Sequence, residues 1–391
     1  MRILLTSSRA PVTLHLIRVL AQAGHTVYAT DTFTPTLGSH SRYLKRHYTT
    51  PPPRYAPAAF AAALLRIIRS HQIEMLIPTS EEIFYIARYH ELLGAATYVY
   101  SEPLHVLNGW HHKAFFQRRA ATLGLPTPRS VLLHSRADLE ASLPDFPRYL
   151  LKPVYSRFGT RIITNTAPQR TSEALAACQP SVQDPWILQE YVSGEPLCSY
   201  STLHYGRITA HCAYTIPHRY GNSSSGTAFV SVDGEETFAI VQKLGAAIQF
   251  TGQLSFDYIR TAEGQLLLLE CNPRATSGLH LIAPHYLVGG LLNPHQAAWI
   301  EPAGQQAQLA PLVILGSLGY LRRNLLRPRG WHAAWRTLAE ARRVPDIIYS
   351  RTDRRPALMQ LLVWRRFARR ARQFNLSLLQ ATTDEIEWNG L

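Results

Sequence analysis

Apolar residues follow two periods along the first hundred positions. Arg2–Thr6 is an apolar run closed by polar residues, the pattern of a buried strand, and Pro11–Ala23 carries apolar residues at helical spacing. Thr26–Thr30 reads as a second strand ending at Asp31, so the chain opens in the strand–helix–strand order of a parallel α/β unit. A helix over Phe60–Ser70 and a short buried strand over Met75–Pro78 follow. Ser80-Glu81-Glu82 then resembles a helix start, with acids near the positive end of the dipole. Together these elements predict a small open parallel sheet over residues 1–105.

A second unit, residues 106–302, opens with a helix over Lys113–Leu123 that Gly124, Pro126 and Pro128 terminate. Strand patterns follow at Ser130–Leu133, Tyr149–Pro153, Arg161–Thr164, Trp186–Tyr191, Ser199–His204, Arg207–Tyr214, Leu254–Arg260 and Gln265–Cys271. Turns such as His204-Tyr205-Gly206 and Ala262-Glu263-Gly264 join neighbours and predict antiparallel pairing. The fold class is therefore α/β and α+β: an open parallel sheet, then α+β material, then a basic helical tail over 303–391. In that tail, Trp331–Arg343 and Ala357–Phe374 are candidate helices.

Charge changes the picture only locally. The chain carries +14, and the fifteen arginines between Arg322 and Arg372, against Glu340, Asp346 and Asp353, account for +12 of it. The basic amphipathic helix over Ala357–Phe374 can lie on an anionic membrane surface, or dock its apolar side on the protein and leave its arginines solvated. The sequence carries no helix-turn-helix or aromatic RNA-binding signature, which argues against nucleic acid. Cys178, Cys198, Cys212 and Cys271 form no CxxC pair, so a zinc site is not expected. With no signal-peptide pattern and no run long enough to span a bilayer, the expected compartment is the cytoplasm. The first turn, Ser7-Ser8-Arg9-Ala10-Pro11, holds hydroxyls where a dinucleotide fold carries its glycines, which argues against NAD.

The chemistry concentrates further on. Asp257 lies inside the apolar run Ser255–Ile259, Glu270 ends the run Leu266–Leu269, and Asn272 follows two residues later on the same side of its strand. Carboxylates in such strands are costly to desolvate unless paired or bound to metal, and two carboxylates with an amide suit magnesium shared with nucleotide phosphates. A buried acid paired with Arg274, or a solvated strand end, are the plainer alternatives. Of 40 basic residues only Lys45, Lys113, Lys152 and Lys243 are lysines, so a lysine kept against that bias points to a need for a compact, mobile ammonium, although for Lys45 and Lys243 chance is the plainer reading. His211 and His218 are expected to face solvent, with a place in the substrate site as the alternative, and Gly221–Gly226 reads as a polar loop.

The stretch FDYI…GQLLLLECNPR resembles the metal-binding strand pair of ATP-grasp enzymes. Upstream, Lys113 in HHKAFFQRRAATLGLPTP and Lys152 in YLLKPVYSRFGTRI fall where that family carries its two nucleotide lysines. The resemblance covers residues 1 to about 300 and implies an ATP-grasp fold of two α+β subdomains, with ATP and Mg2+ (Mn2+ as a substitute) as cofactors. It implies that Asp257, Glu270 and Asn272 hold the metal, and that Lys113 and Lys152 neutralise the triphosphate. Ser156 and Gly159 belong to the loop over the phosphates, Glu190 and the backbone of Val192 meet the adenine, and Glu195 meets the ribose. Arg274 would stabilise transition-state charge, and Lys152 would assist it. The phrases PWILQEYVSGEPLCSYSTLHYGRITAHC and FTGQLSFDYIRTAEGQLLLLECNPRATSG resemble the mycosporine-glycine synthase type of ATP-grasp ligase. That implies an ADP-forming C–N ligase joining a small carboxylate-like or vinylogous acid to an amine or amino acid. A kinase-like enzyme that stops at a phosphorylated product would share these residues, and a homo-oligomer is compatible with the sequence.

Overall fold

The computed structural model describes residues 1–156, 161–166, 171–219, 226–311 and 343–390. The first sheet contains β1 (Arg2–Leu5), β2 (Thr26–Asp31), β3 (Arg46–Thr49), β4 (Met75–Ile77) and β5 (Tyr98–Val99), all parallel, in the order β3-β2-β1-β4-β5. Its central strands are apolar throughout because both faces are covered. Ile3 and Leu5 pack with Leu14, Ile17 and Leu20 of the helix Pro11–Gln22, whereas Leu4 and Leu76 pack with Phe60, Leu64 and Ile68 of the helix Pro57–His71.

A four-stranded antiparallel sheet follows, made of β6 (Ser130–Leu133), β7 (Tyr149–Pro153), β8 (Ile163–Thr164) and β9 (Trp186–Glu190) in the order β6-β9-β7-β8. It has its own small core around Leu133, Leu139, Tyr149, Leu151 and Leu188. The strand expected over Arg161–Thr164 is confined to its last two residues.

The largest sheet contains seven strands: β10 (Glu195–His204), β11 (Arg207–Arg219), β12 (Gly226–Val232), β13 (Gly252–Arg260), β14 (Leu266–Asn272), β15 (Trp299–Ile300) and β16 (Gln306–Gln308). Its order is β14-β13-β10-β11-β12-β16, antiparallel throughout, with β15 parallel to β11. The β10–β11 turn places Tyr205 and Gly206 at positive φ (49° and 78°), the backbone twist that tight hairpins favour. Expected mixed α/β architecture and observed topology agree. Gly159, the loop over 220–225 and most of the candidate helix Trp331–Arg343 lie outside the described residues.

The second tail helix spans Arg355–Phe374 and packs on the first sheet's unit. It buries Val363 and Phe367, the latter edge-on to Phe33 at 5.8 Å. Arg370 turns inward as well, pairing with Asp384 and with Glu385 at 3.1 Å. Peripheral membrane contact is not borne out: the helix docks on the protein through Val363 and Phe367 and spends part of its charge inside the molecule, while Leu358, Leu361 and Leu362 stay exposed. No helix among the described residues is long and apolar enough to cross a membrane. His211, expected at the surface, is fully buried in β11 between the hydroxyls of Ser201 and Thr237 (both 2.8 Å), because β11 runs through the centre of the large sheet.

Candidate active site

Two sheets and a helix deliver the chemistry to one place. Strands β13 and β14 pair with Asp257 opposite Glu270 and Ser255 opposite Asn272, so the acids and the amide share one face of the large sheet. The antiparallel four-stranded sheet brings Lys152 from β7, and the helix Lys113–Thr122 brings Lys113 from its first position. That helix is tied to β14 by the Gln117 amide, which donates to the Leu269 carbonyl at 3.2 Å.

The two lysines converge on one carboxylate. Lys113 Nζ lies 3.4 Å from Glu270 Oε2 and Lys152 Nζ lies 4.0 Å from the same oxygen. Both ammonium side chains are nearly sealed, whereas a quarter of the Glu270 side chain stays open to solvent. Lys113 also donates to the carbonyls of Val154 (3.3 Å) and Ser156 (3.1 Å), at the mouth of the loop after β7. Burial lowers the Lys152 pKa, and the neighbouring Glu270 charge opposes that shift.

The carboxylate pair is polarised. Burial works against ionisation of Glu270, yet Lys113, Lys152 and a hydrogen bond from Asp257 outweigh it and hold its pKa down to about 2. Asp257 is pushed up to about 7, by burial first and by the Glu270 charge second. The Cys198 thiol donates to Asp257 Oδ1 at 3.2 Å, and the Asn272 amide approaches Oδ2 at 3.4 Å. Near neutrality one proton is thus held between two facing carboxylates, an arrangement a divalent cation can replace.

Arg274 pairs with neither Asp257 nor Glu270. Its Nε donates to Glu81 Oε1 at 2.8 Å and its Nη2 to Asn272 Oδ1 at 3.2 Å, so it bridges the first sheet's loop to β14. Glu81 is buried, with His111 Nε2 3.9 Å from its second oxygen. The acids at Glu81-Glu82 do not serve the following helix dipole as expected. The helix begins at Ile83, and the Glu82 carboxylate accepts from the Thr79 amide at 3.0 Å and from the hydroxyls of Thr6 and Ser7, fastening the ends of β1 and β4.

Glu190 ends β9 with its carboxylate accepting the Arg129 backbone N–H at 2.8 Å, which clamps β6 to β9. Val192 lies in the link beyond it, and Glu195 begins β10 exposed, opposite Arg260. Ser156 sits at the start of the loop as the carbonyl partner of Lys113. Sequence reasoning missed Cys198, Glu81 and Tyr155. Cys198 was legible in principle, since β10 pairs it with Asp257 by alternation. Glu81 lies 193 residues from its partner Arg274, with no periodic signal to link them.

Neither a known family's sequence profile nor any curated protein sequence matches the chain. Solved structures do. An L-amino acid ligase from Bacillus licheniformis superimposes with a TM-score of 0.56 at 13% identity, over 74% of this chain and 70% of that one. Phosphoribosylamine–glycine ligase from Thermotoga maritima gives 0.58 at 13% identity, over 78% of each chain. The biotin carboxylase domain of the Hydrogenobacter thermophilus 2-oxoglutarate carboxylase, solved with MgADP, ADP and bicarbonate, gives 0.59 at 14% identity, over 78% of this chain and 72% of that one. The chain has the fold of these enzymes, the ATP-grasp fold that its lysine and carboxylate strands predict.

Proposed function

We propose that the chain is an ATP-dependent, ADP-forming ligase that activates a carboxylate-like or vinylogous acid and couples it to an amine or amino acid. One observation carries the reading: Glu270 lies between two sealed ammonium groups and against a second carboxylate that holds a proton near neutrality. A simple ion pair needs one cation per acid, but here both cations address Glu270 alone while Asp257 faces it, a set that suits a triphosphate with its metal.

In this reading Asp257, Glu270 and Asn272 hold Mg2+, with Mn2+ as a substitute; the facing oxygens of Asp257 and Glu270 are the donor set such a hard ion takes. The ion supplies charge neutralisation to the triphosphate when bound. Lys113 and Lys152 then exchange part of their attraction to Glu270 for phosphate oxygens. Ser156 and Gly159 line the phosphates, Glu190 and Val192 the base, and Glu195 the ribose. Arg274, held by Glu81, faces charge developing on the reacting oxygens. The acid's oxygen takes the γ-phosphoryl group and ADP is the leaving group; the amine nitrogen then attacks the activated carbon, expels phosphate and loses a proton; the work is positioning and electrostatics, with no protein nucleophile. We assign residues 1–105 as the preceding α/β domain, 106–302 as the ATP-grasp body and 303–391 as the helical tail.

Two features support ligation rather than phosphorylation alone: the fold-sharing enzymes above include two ligases by name, and the β9–β11 and β13–β14 sequences resemble those of a C–N ligase type. The test is ADP and phosphate release with a panel of carboxylates and cyclic enols, with and without amino acids. Amine-dependent ADP formation is expected. A stable phosphorylated product made without amine would replace the ligase by a kinase, and no nucleotide turnover or binding under any pairing would remove the reading.

A further inference from the structure

The segment Asp384–Gly390 crosses from the first sheet's unit to the candidate nucleotide site. Arg54 holds its first half, donating to the Asp384 carbonyl and carboxylate and to Glu387 Oε2, each at 3.2 Å. The Arg54 backbone N–H donates to the Glu385 carbonyl at 3.1 Å, and the Tyr85 hydroxyl to the Glu387 carbonyl at 2.6 Å. Trp388 is 1% exposed, stacked on Phe84 at 5.8 Å and edge-on to Tyr85 at 5.1 Å. Its indole N–H donates to Asn108 Oδ1 at 2.7 Å, on the helix just before the one that carries Lys113.

Two residues on, Gly390 adopts φ +90° and lies against the Tyr155 ring so closely that a β-carbon there would overlap it. Tyr155 packs on His111 (5.6 Å) and edge-on to His112 (5.4 Å). Its chain neighbours Val154 and Ser156 supply both carbonyls that seat Lys113. The contacts therefore run unbroken from an anchored tryptophan, through a glycine only a hydrogen wide, to the backbone that holds the first lysine.

We propose that Asp384–Gly390 is a strap that positions the nucleotide site, with Trp388 as its anchor and Gly390 and Tyr155 as positioning residues for Lys113. It ties the first sheet's unit to the end of β7, so the loop after β7 starts from a fixed place. Dense packing transmits such a displacement because the interior has no slack to absorb it. The inference rests on the nucleotide reading above only for its kinetic arm.

Gly390→Val leaves the tryptophan anchor in place and pushes directly on Tyr155; a chain stopped after Trp388 removes the contact instead. Hydrogen exchange of the ligand-free proteins is the primary readout. Peptides covering 113–122 and 149–156 are expected to exchange about threefold faster or more in both variants, while peptides of the first sheet stay at wild-type rates. Unchanged exchange in the shortened chain overturns the strap, even if Gly390→Val fails to fold. In steady-state assays KM for ATP should rise about tenfold with kcat within about threefold, and Trp388→Phe should retain wild-type values where Trp388→Ala does not. An equal fall in kcat at unchanged KM would overturn the positioning role. If wild type binds no fluorescent ATP analogue yet the exchange changes appear, the strap stands and the nucleotide reading fails.

Discussion

Glu270→Gln preserves shape and one acceptor oxygen while removing the carboxylate charge that, among the described residues, lies within ion-pair range of both Lys113 and Lys152. Its pKa is held at about 2 against an ordinary 4.5, although burial alone would raise it. At ~1.4 kcal/mol per unit this is about 3 kcal/mol in favour of the charged form. Screening at the quarter-open side chain trims it to about 2–3 kcal/mol, near the range for breaking a buried pair. A folded pKa below the unfolded one contributes stability that is full above pH 4.5 and is lost as pH falls through about 2. Asp257 complicates the neutral range, since its own pKa of about 7 depends partly on Glu270, and its freer ionisation in the variant returns some negative charge to the lysines. The cleanest measurement is therefore urea unfolding of ligand-free protein at pH 6, followed by far-ultraviolet circular dichroism. We expect the variant's midpoint to fall by an amount equal to about 2–3 kcal/mol at unchanged slope, together with loss of turnover. Equal midpoints for wild type and variant at pH 6 would refute the electrostatic account of the two lysines. Full activity in the variant would remove Glu270 from the metal set.

Further outcomes follow from the same geometry. Lys152→Met should weaken ATP analogue binding about tenfold or more, read by fluorescence titration, because an apolar side chain leaves the phosphates without that charge. Divalent cation affinity should fall by up to tenfold per pH unit below about 7, since Asp257 must lose its proton to bind, and isothermal titration in two buffers should detect the released proton. Arg274→Lys should lower kcat on the order of 100-fold with a smaller effect on KM for ATP, because the point charge cannot bridge Glu81 and Asn272 together; an unchanged kcat would leave Arg274 structural. His211, held neutral by burial with a pKa down to about 3, makes the fold resist protonation that the unfolded chain accepts. Its contribution to stability is therefore lost as pH falls from 6.5 toward 3, and His211→Gln should flatten the melting-temperature profile across that window.

The sequence by itself determined the parts that local physics writes. Apolar runs with helical segments between them specify a parallel sheet covered on both faces, and β1, β2 and β4 lie where that pattern puts them. Side-chain alternation was enough to set Asp257, Glu270 and Asn272 on one face, and β13–β14 pairing brings the two acids opposite each other. The scarcity of lysine narrowed the candidates to four, and the resemblance to ATP-grasp sequences picked out Lys113 and Lys152, which meet at one carboxylate.

Only the tertiary structure decided which charges neutralise which. Arg274 answers to Glu81 rather than Glu270, His211 lies inside a sheet, and Arg370 spends its charge on Asp384 and Glu385. Trp388 and the Glu387 carbonyl are held by residues roughly 280 to 300 positions earlier in the chain. Such contacts join segments without a shared period. Periodicity reports which face of an element is buried, but the partner across that face is chosen by how whole elements pack, and no local pattern encodes it.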